Sequence, residues 1–181
     1  DDADRLGRWL DGRLRALAHA RYGARPWLDV ELAVHSAAQR LKAFAQKQVA
    51  WHADGWEIVE HEDKKGRRIV IDGVTIRGRI DRIDRKIEDG RAVYCVLDYK
   101  TTDTAKRPAE AHMSPSFGDN EFLEAARIPK GLVPNSKNDK RWADLQLPLY
   151  REFVKTACEG EIRLGYINLP SALGDIVFNL W

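Results

Sequence analysis

Residues 91–100 read RAVYCVLDYK, and the reading of this run decides the fold. It is rich in β-branched and aromatic residues and follows the turn-forming Glu88 to Gly90, so it reads as a strand. Alternation then puts Val93, Cys95, Leu97 and Tyr99 on one face, and Tyr94, Val96, Asp98 and Lys100 on the other. Asp98 and Lys100 share a face, separated by roughly 7 Å of strand. Charged residues are seldom buried without a partner or a ligand. Two readings of the pair stand at this level: a strand end carrying its charges into solvent, and a site that engages something.

Just before this run, GRIDRID at 78–84 supplies Asp81 and Asp84. Their odd separation sends them to opposite faces, so only one can join Asp98 on an adjacent strand. Two carboxylates brought that close repel unless a proton or a cation lies between them. A hard divalent cation held by carboxylate and carbonyl oxygens, with waters completing the shell, suits such a place, and magnesium favours open sites of this kind. Lys100 beside it has two plausible jobs, orienting the attacking water or neutralising charge on a phosphate.

The rest of the chain frames these strands. Leu6, Leu10, Leu14 and Leu17, then Leu32, Val34, Ala38, Leu41, Phe44 and Val49, recur at helical spacing, with a break around Gly23 and Pro26. Residues 1–54 are therefore expected to be a helical lead-in and 55–181 the core of one domain. WEIVEHE, RRIVIDG and VTIRGRIDRID follow, with Asp72-Gly73 as a hairpin signal, so an antiparallel meander is expected. Between Thr101 and Lys140 lie four of the seven prolines, and this stretch reads as a long irregular excursion. A helix over WADLQLPLYREFVKTACEG, with Pro148 in its first turn, and two closing strands, RLGYINL and DIVFNLW, complete the order.

Composition excludes several classes. With 181 residues, 44% hydrophobic and 32% charged, the chain can bury a core without disulfides and is not disordered. No apolar run approaches a membrane span, so no membrane partner is expected. Cys95 and Cys158 are too few and too far apart for a disulfide framework, which points to a reducing, cytoplasmic setting. A net charge of +2 does not identify a partner, because charge distribution matters more than its sum. The start, DDADRLGRWL, shows neither a signal peptide nor an initiating methionine, and the chain reads as a piece of a longer protein.

GRIDRID, VLDYKT and DLQLPLY occur in the order of the motifs of the PD-(D/E)XK nucleases, and the chain resembles that superfamily, in particular its RecB-like domains attached to recombination helicases. The resemblance implies an α/β fold with a restriction-endonuclease-like core: a mixed, mainly antiparallel central sheet flanked by helices, with an N-terminal helical region. It implies a metal-dependent DNA nuclease, of exonuclease type, acting in recombination or repair with Mg2+ or Mn2+, with DNA and a helicase domain or subunit as partners. Asp81 and Asp98 would be metal ligands with the Tyr99 backbone carbonyl, Lys100 the catalytic lysine, and Gln146 and Tyr150 the pair that contacts DNA or supports the metal site. Glu62 falls where an additional acidic residue often precedes the core strands. Asp84 with Arg82 and Arg85 is assigned to structural ion pairs or the DNA backbone, and Tyr99 is expected to turn inward.

The resemblance departs at one point. Many RecB-like domains carry a metal-binding histidine on an early helix, four residues after a glycine. His35 in ELAVHSAAQ is the best placed candidate, but Glu31 stands in the glycine's position. The iron–sulfur branch needs four cysteines, so no iron–sulfur cluster is expected. Lys106, Arg107, Lys130, Lys137, Lys140 and Arg141 are basic residues suited to a phosphate backbone. The alternative function is a nuclease fold without catalysis, kept for DNA binding or scaffolding.

Overall fold

The computed structural model describes residues 1–62, 65–115, 127–128 and 137–181. Two long helices come first, α1 (Asp2–Tyr22) and α2 (Leu28–Ala53). The side chain of Asp1 caps α1 by accepting from Asp4 N–H at 2.7 Å. Gly23 and Pro26 separate the helices where the apolar periodicity breaks. α1 lies against Lys42 and Ala45 of α2 at Gly7.

The strands that follow are β1 (Glu57–His61), β2 (Arg67–Ile71), β3 (Val74–Gly78), β4 (Arg82–Glu88) and β5 (Arg91–Lys100). After them come α3 (Pro108–His112), β6 (Met113–Pro115), β7 (Arg127–Ile128), β8 (Lys140–Trp142), α4 (Gln146–Val154), β9 (Glu161–Asn168) and β10 (Val177–Leu180). The central sheet has the order β1-β4-β5-β9-β10, antiparallel except for the parallel β5–β9 pair. This is the mixed, mainly antiparallel α/β architecture expected of a restriction-endonuclease-like core.

The meander needs correction. β1 pairs with β4, not with β2, while β2 and β3 form a separate two-stranded ribbon. VTIRGRIDRID, which reads as one run, is divided between two sheets. Ile80, only 1% exposed, drops into the core between them and takes the chain from one sheet to the other. Both Asp-Gly turns behave as read: Asp72 and Gly73, and Asp89 and Gly90, all have positive φ, as tight hairpins require. The excursion after Thr101 also contains regular structure, with α3, β6 and β8 among its described residues. α4 stops at Val154 rather than Gly160, and in the turn that follows the amides of Ala157 and Cys158 both donate to the Val154 carbonyl.

Burial follows the period-2 reading of β5. Val93, Cys95 and Leu97 pack with Phe44, Trp56, Ile167 and Ile176 beneath α2. On the opposite face Val96 packs with Ile83, Leu147, Tyr150, Phe153 and Val154 beneath α4. The sheet is thus held between helices on both faces, and the end of β5 that carries Asp98 and Lys100 opens toward α4. Among the described residues no helix is long and apolar enough to cross a membrane.

Candidate active site

β4 and β5 pair with Arg82 opposite Leu97 and Ile83 opposite Val96. Asp81 lies one residue before this ladder, at the end of the β4–β5 pair that carries Asp98. Asp81 sits in the bend just before β4, and its Oδ2 accepts the Tyr99 backbone N–H at 3.0 Å. Asp84 goes to the other face as its spacing requires. It is fully buried, accepts two hydrogen bonds of 2.6 Å from Arg82 and one of 2.7 Å from Trp51 Nε1, and so serves as a structural ion pair.

Asp98 is 4% exposed. Lys100 Nζ lies 2.7 Å from its Oδ2, a contact of opposite charges outside hydrogen-bonding geometry, so this buried oxygen has no hydrogen bond. The other oxygen, Oδ1, accepts from Gln146 Nε2 at 2.7 Å, and Gln146 Oε1 accepts from Lys100 Nζ at 2.8 Å. Asp98, Lys100 and Gln146 therefore close a ring. Burial pushes the Asp98 carboxyl above its ordinary range; Lys100 pulls it back, and the negative charges of Asp81 and Asp144 add to the rise.

The first turn of α4 presents this amide. Asp144 Oδ1 accepts the Gln146 backbone N–H at 2.7 Å and fixes where the helix begins. Tyr150 lies one turn on, and its hydroxyl accepts from Gln146 Nε2 at 3.1 Å. Burial raises the Tyr150 phenol, and Gln146 opposes the rise. The four residues Asp98, Lys100, Gln146 and Tyr150 thus form one hydrogen-bonded and ion-paired group, with Asp81 beside it at the Tyr99 N–H.

Further residues brace the group without having stood out in the sequence. Tyr166, opposite Asp98 on β9, places its ring centroid 4.8 Å from Lys100 Nζ. Its hydroxyl meets His112 Nε2 at 2.6 Å, while His112 Nδ1 faces the Asp144 carbonyl at 2.8 Å and the ring stacks on Trp181. Asn168, opposite Lys100, bonds both the N–H and the carbonyl of Lys106, at 2.8 and 3.0 Å. Asp144 had a signal, an N-cap residue type two positions before Gln146. His112 had none, because its partners come from distant segments.

The remaining candidates lie as follows. Glu62 is exposed and its backbone N–H donates to the Asp81 carbonyl at 2.9 Å, so it stands beside the aspartate. His35 is exposed on α2, with Nε2 3.0 Å from Gln39 Nε2, and it lines a cleft with α1 residues Asp4, Arg8 and Asp11. No contact among the described residues brings it to Asp81 or Asp98. Tyr99 does not turn inward: it is 39% exposed and lays its ring edge-on to Phe44, with its hydroxyl accepting from Arg82 Nη1 at 3.4 Å. Its position on the α2 face, beyond the end of that core, leaves it in contact with solvent. Of the basic residues, Arg107 pairs with Glu110, Lys137 is exposed, Lys140 and Arg141 lie in β8, and Lys130 is outside the described residues.

Among the described residues no group of three or more His, Cys, Asp and Glu side chains gathers to hold a metal. Asp81 and Asp98 are a two-carboxylate arrangement. An open magnesium site takes one or two carboxylates, the rest of its shell being water and substrate oxygen, so these residues fit such an ion. The buried Oδ2 of Asp98, which accepts no hydrogen bond and is ion-paired with Lys100, is the oxygen that would take such an ion.

A family model for the PD-(D/E)XK nuclease superfamily matches residues 1–118. The matched stretch includes Asp81, Asp98 and Lys100, and ends before α4 with Gln146 and Tyr150. No curated protein matches the chain significantly.

Proposed function

The chain belongs to the PD-(D/E)XK nuclease superfamily, and on that premise we propose that it is a divalent-metal-dependent deoxyribonuclease of the RecB-like type. It acts as an exonuclease beside a helicase domain or subunit, in recombination or repair of DNA in the cytoplasm. The observation that carries this reading is the ring of Asp98, Lys100 and Gln146, with Asp81 bound next to it at the Tyr99 N–H.

Asp81 and Asp98 would hold Mg2+ or Mn2+ together with the Tyr99 carbonyl. A divalent ion there supplies Lewis-acid stabilisation of the scissile phosphate and a more acidic water. The Lys100 ammonium, kept in place by Gln146 and the face of Tyr166, orients the attacking water and neutralises charge that builds on the phosphate. Gln146 keeps Asp98 oriented, and Tyr150 keeps Gln146 oriented.

The test is digestion of linear DNA with Mg2+ or Mn2+, with and without a chelator, by the parent protein and by Lys100→Ala. Metal-dependent release of nucleotides by the parent, lost in the variant, is expected. DNA binding without cleavage by either protein would replace this reading with the scaffolding one.

A further inference from the structure

The β2–β3 ribbon stands apart from the central sheet and is docked by one face only. Ile69 and Ile76 pack against the core under α4. Arg67 pairs with Glu60 at 2.6 Å and donates to the Phe153 carbonyl at 3.4 Å. Gly78 opposes the Phe153 ring so closely that a Cβ would fall 2.5 Å from its Cε2. Alternation therefore turns Arg68 and Val70 of β2, and Thr75 and Arg77 of β3, to the other face, and all four are exposed.

On that face Arg68 and Arg77 are direct cross-strand partners. Like charges placed opposite each other destabilise an antiparallel pair. Neither guanidinium has an acidic partner or a hydrogen bond among the described residues, in contrast with Arg67 on the docked face. A charge on each free edge is enough to block edge-to-edge pairing, and that purpose does not require two arginines in register. Arg79, also exposed, follows at the base of the ribbon. It is two residues before Asp81, hence within about 7 Å of it along the chain. Between 65 and 80 the sequence has Lys65, Arg67, Arg68, Arg77 and Arg79 against one acid, Asp72.

We infer that the exposed face of the β2–β3 ribbon is a nucleic-acid arm, on which Arg68, Arg77 and Arg79 bind successive backbone phosphates of the DNA strand that leads to Asp81 and Asp98. The planar guanidinium fork matches phosphate oxygens, and neighbouring phosphates, one at each guanidinium, offset the repulsion between Arg68 and Arg77. Contacts of this kind supply affinity and register without reading sequence. The choice of DNA as ligand rests on the nuclease reading above, while the placement of the arginines does not.

The test is binding of a labelled oligonucleotide over a salt series in chelator, where hydrolysis plays no part. It compares the parent with Arg68→Ala/Arg77→Ala, Arg68→Lys/Arg77→Lys and Arg79→Ala. Each phosphate contact contributes roughly 0.7 to 0.9 to the slope of log affinity against log salt. The double alanine variant is expected to lose about tenfold or more in affinity and roughly 1.4 to 1.8 units of slope, the lysine variant to keep most of the slope, and Arg79→Ala to lose roughly 0.7 to 0.9. Thermal midpoints equal to the parent's show that the fold is retained, as expected for exposed side chains. Parent-like affinity and slope in both alanine variants overturns the inference, as does failure of the parent to bind DNA. If the parent cleaves DNA and the slopes are unchanged, the arm falls and the nuclease reading stands. If the slopes fall and the parent never cleaves with Mg2+ or Mn2+, the arm stands and the nuclease reading falls.

Discussion

Gln146 joins the two charged residues at the end of β5: its Nε2 donates to Asp98 Oδ1 at 2.7 Å, and its Oε1 accepts from Lys100 Nζ at 2.8 Å. A single amide satisfies an anion and a cation at once, which neither a carboxylate nor an amine can do. Gln146→Ala is therefore expected to lower DNA cleavage by roughly 10- to 100-fold, the range for residues that orient a ligating side chain. Gln146→Glu is expected to be at least as severe, because it sets a second negative charge against Asp98. Initial rates of nucleotide release, measured beside thermal midpoints, check this, and parent-like rates in the alanine variant would count against the bridging role.

Arg82 and Asp84 make a buried pair that supports the sheet from the α2 side. Arg82 is 2% and Asp84 0% exposed, and Gln48 and Trp51 of α2 complete their hydrogen bonds at 2.6 and 2.7 Å. Removing one member leaves the other charge buried and uncompensated. Asp84→Ala is expected to cost about 3–5 kcal/mol of stability, whereas replacing both residues with apolar ones of similar volume should cost far less. Urea unfolding of the single and double variants measures the difference. A single variant that unfolds at the parent's midpoint would mean that water reaches Arg82.

Gly78 is where the ribbon meets α4. A methyl group there would meet the Phe153 ring at 2.5 Å, and Phe153 is itself only 6% exposed, so the ring has little room to yield. Gly78→Ala is expected to destabilise by about 1–3 kcal/mol, the usual penalty of overpacking. Combining it with Phe153→Leu should recover part of that loss, giving a favourable coupling in a double-mutant cycle. Additive losses would show that the strain lies in the backbone and not in the ring contact.

What could be read ahead of the structure was local. The faces of β5 follow from a period of two, and Asp81 and Asp84 do part as their odd spacing requires, Asp81 to the Tyr99 N–H and Asp84 to Trp51 of α2. Gln146 and Tyr150 meet because four residues make one turn of helix. The pairing of β1 with β4 escaped, because hairpin turns specify neighbours in sequence, and β1 reaches past the whole β2–β3 ribbon to find its partner. His112 escaped for a similar reason: Tyr166 and Trp181 come to it from far along the chain, and a lone histidine in a proline-containing stretch carries no periodic signal. Tyr99 stays in contact with solvent because alternation gives the face of a side chain but not whether the facing layer extends that far.

Glu88 ends β4 in a cluster with Arg163 of β9 and Lys86. Its carboxylate accepts from Arg163 Nη2 at 2.6 Å and Nη1 at 3.1 Å, and Lys86 Nζ lies 3.1 Å away. The hydrogen bonds from Arg163, then those from Lys86, hold the Glu88 carboxyl below its usual range. A carboxyl with a lowered folded value binds fewer protons in the folded chain than in the unfolded one as pH falls. Its contribution is thus complete above the unfolded value of about 4.3 and disappears as pH drops through the lower folded value. The thermal midpoint of Glu88→Gln should fall below the parent's at neutral pH, and the gap should close progressively once pH passes below about 4. High salt should narrow the neutral-pH gap as well, since the cluster is partly open to solvent. A gap that stays constant across the acid series would assign the effect to packing of the side chain instead of its charge.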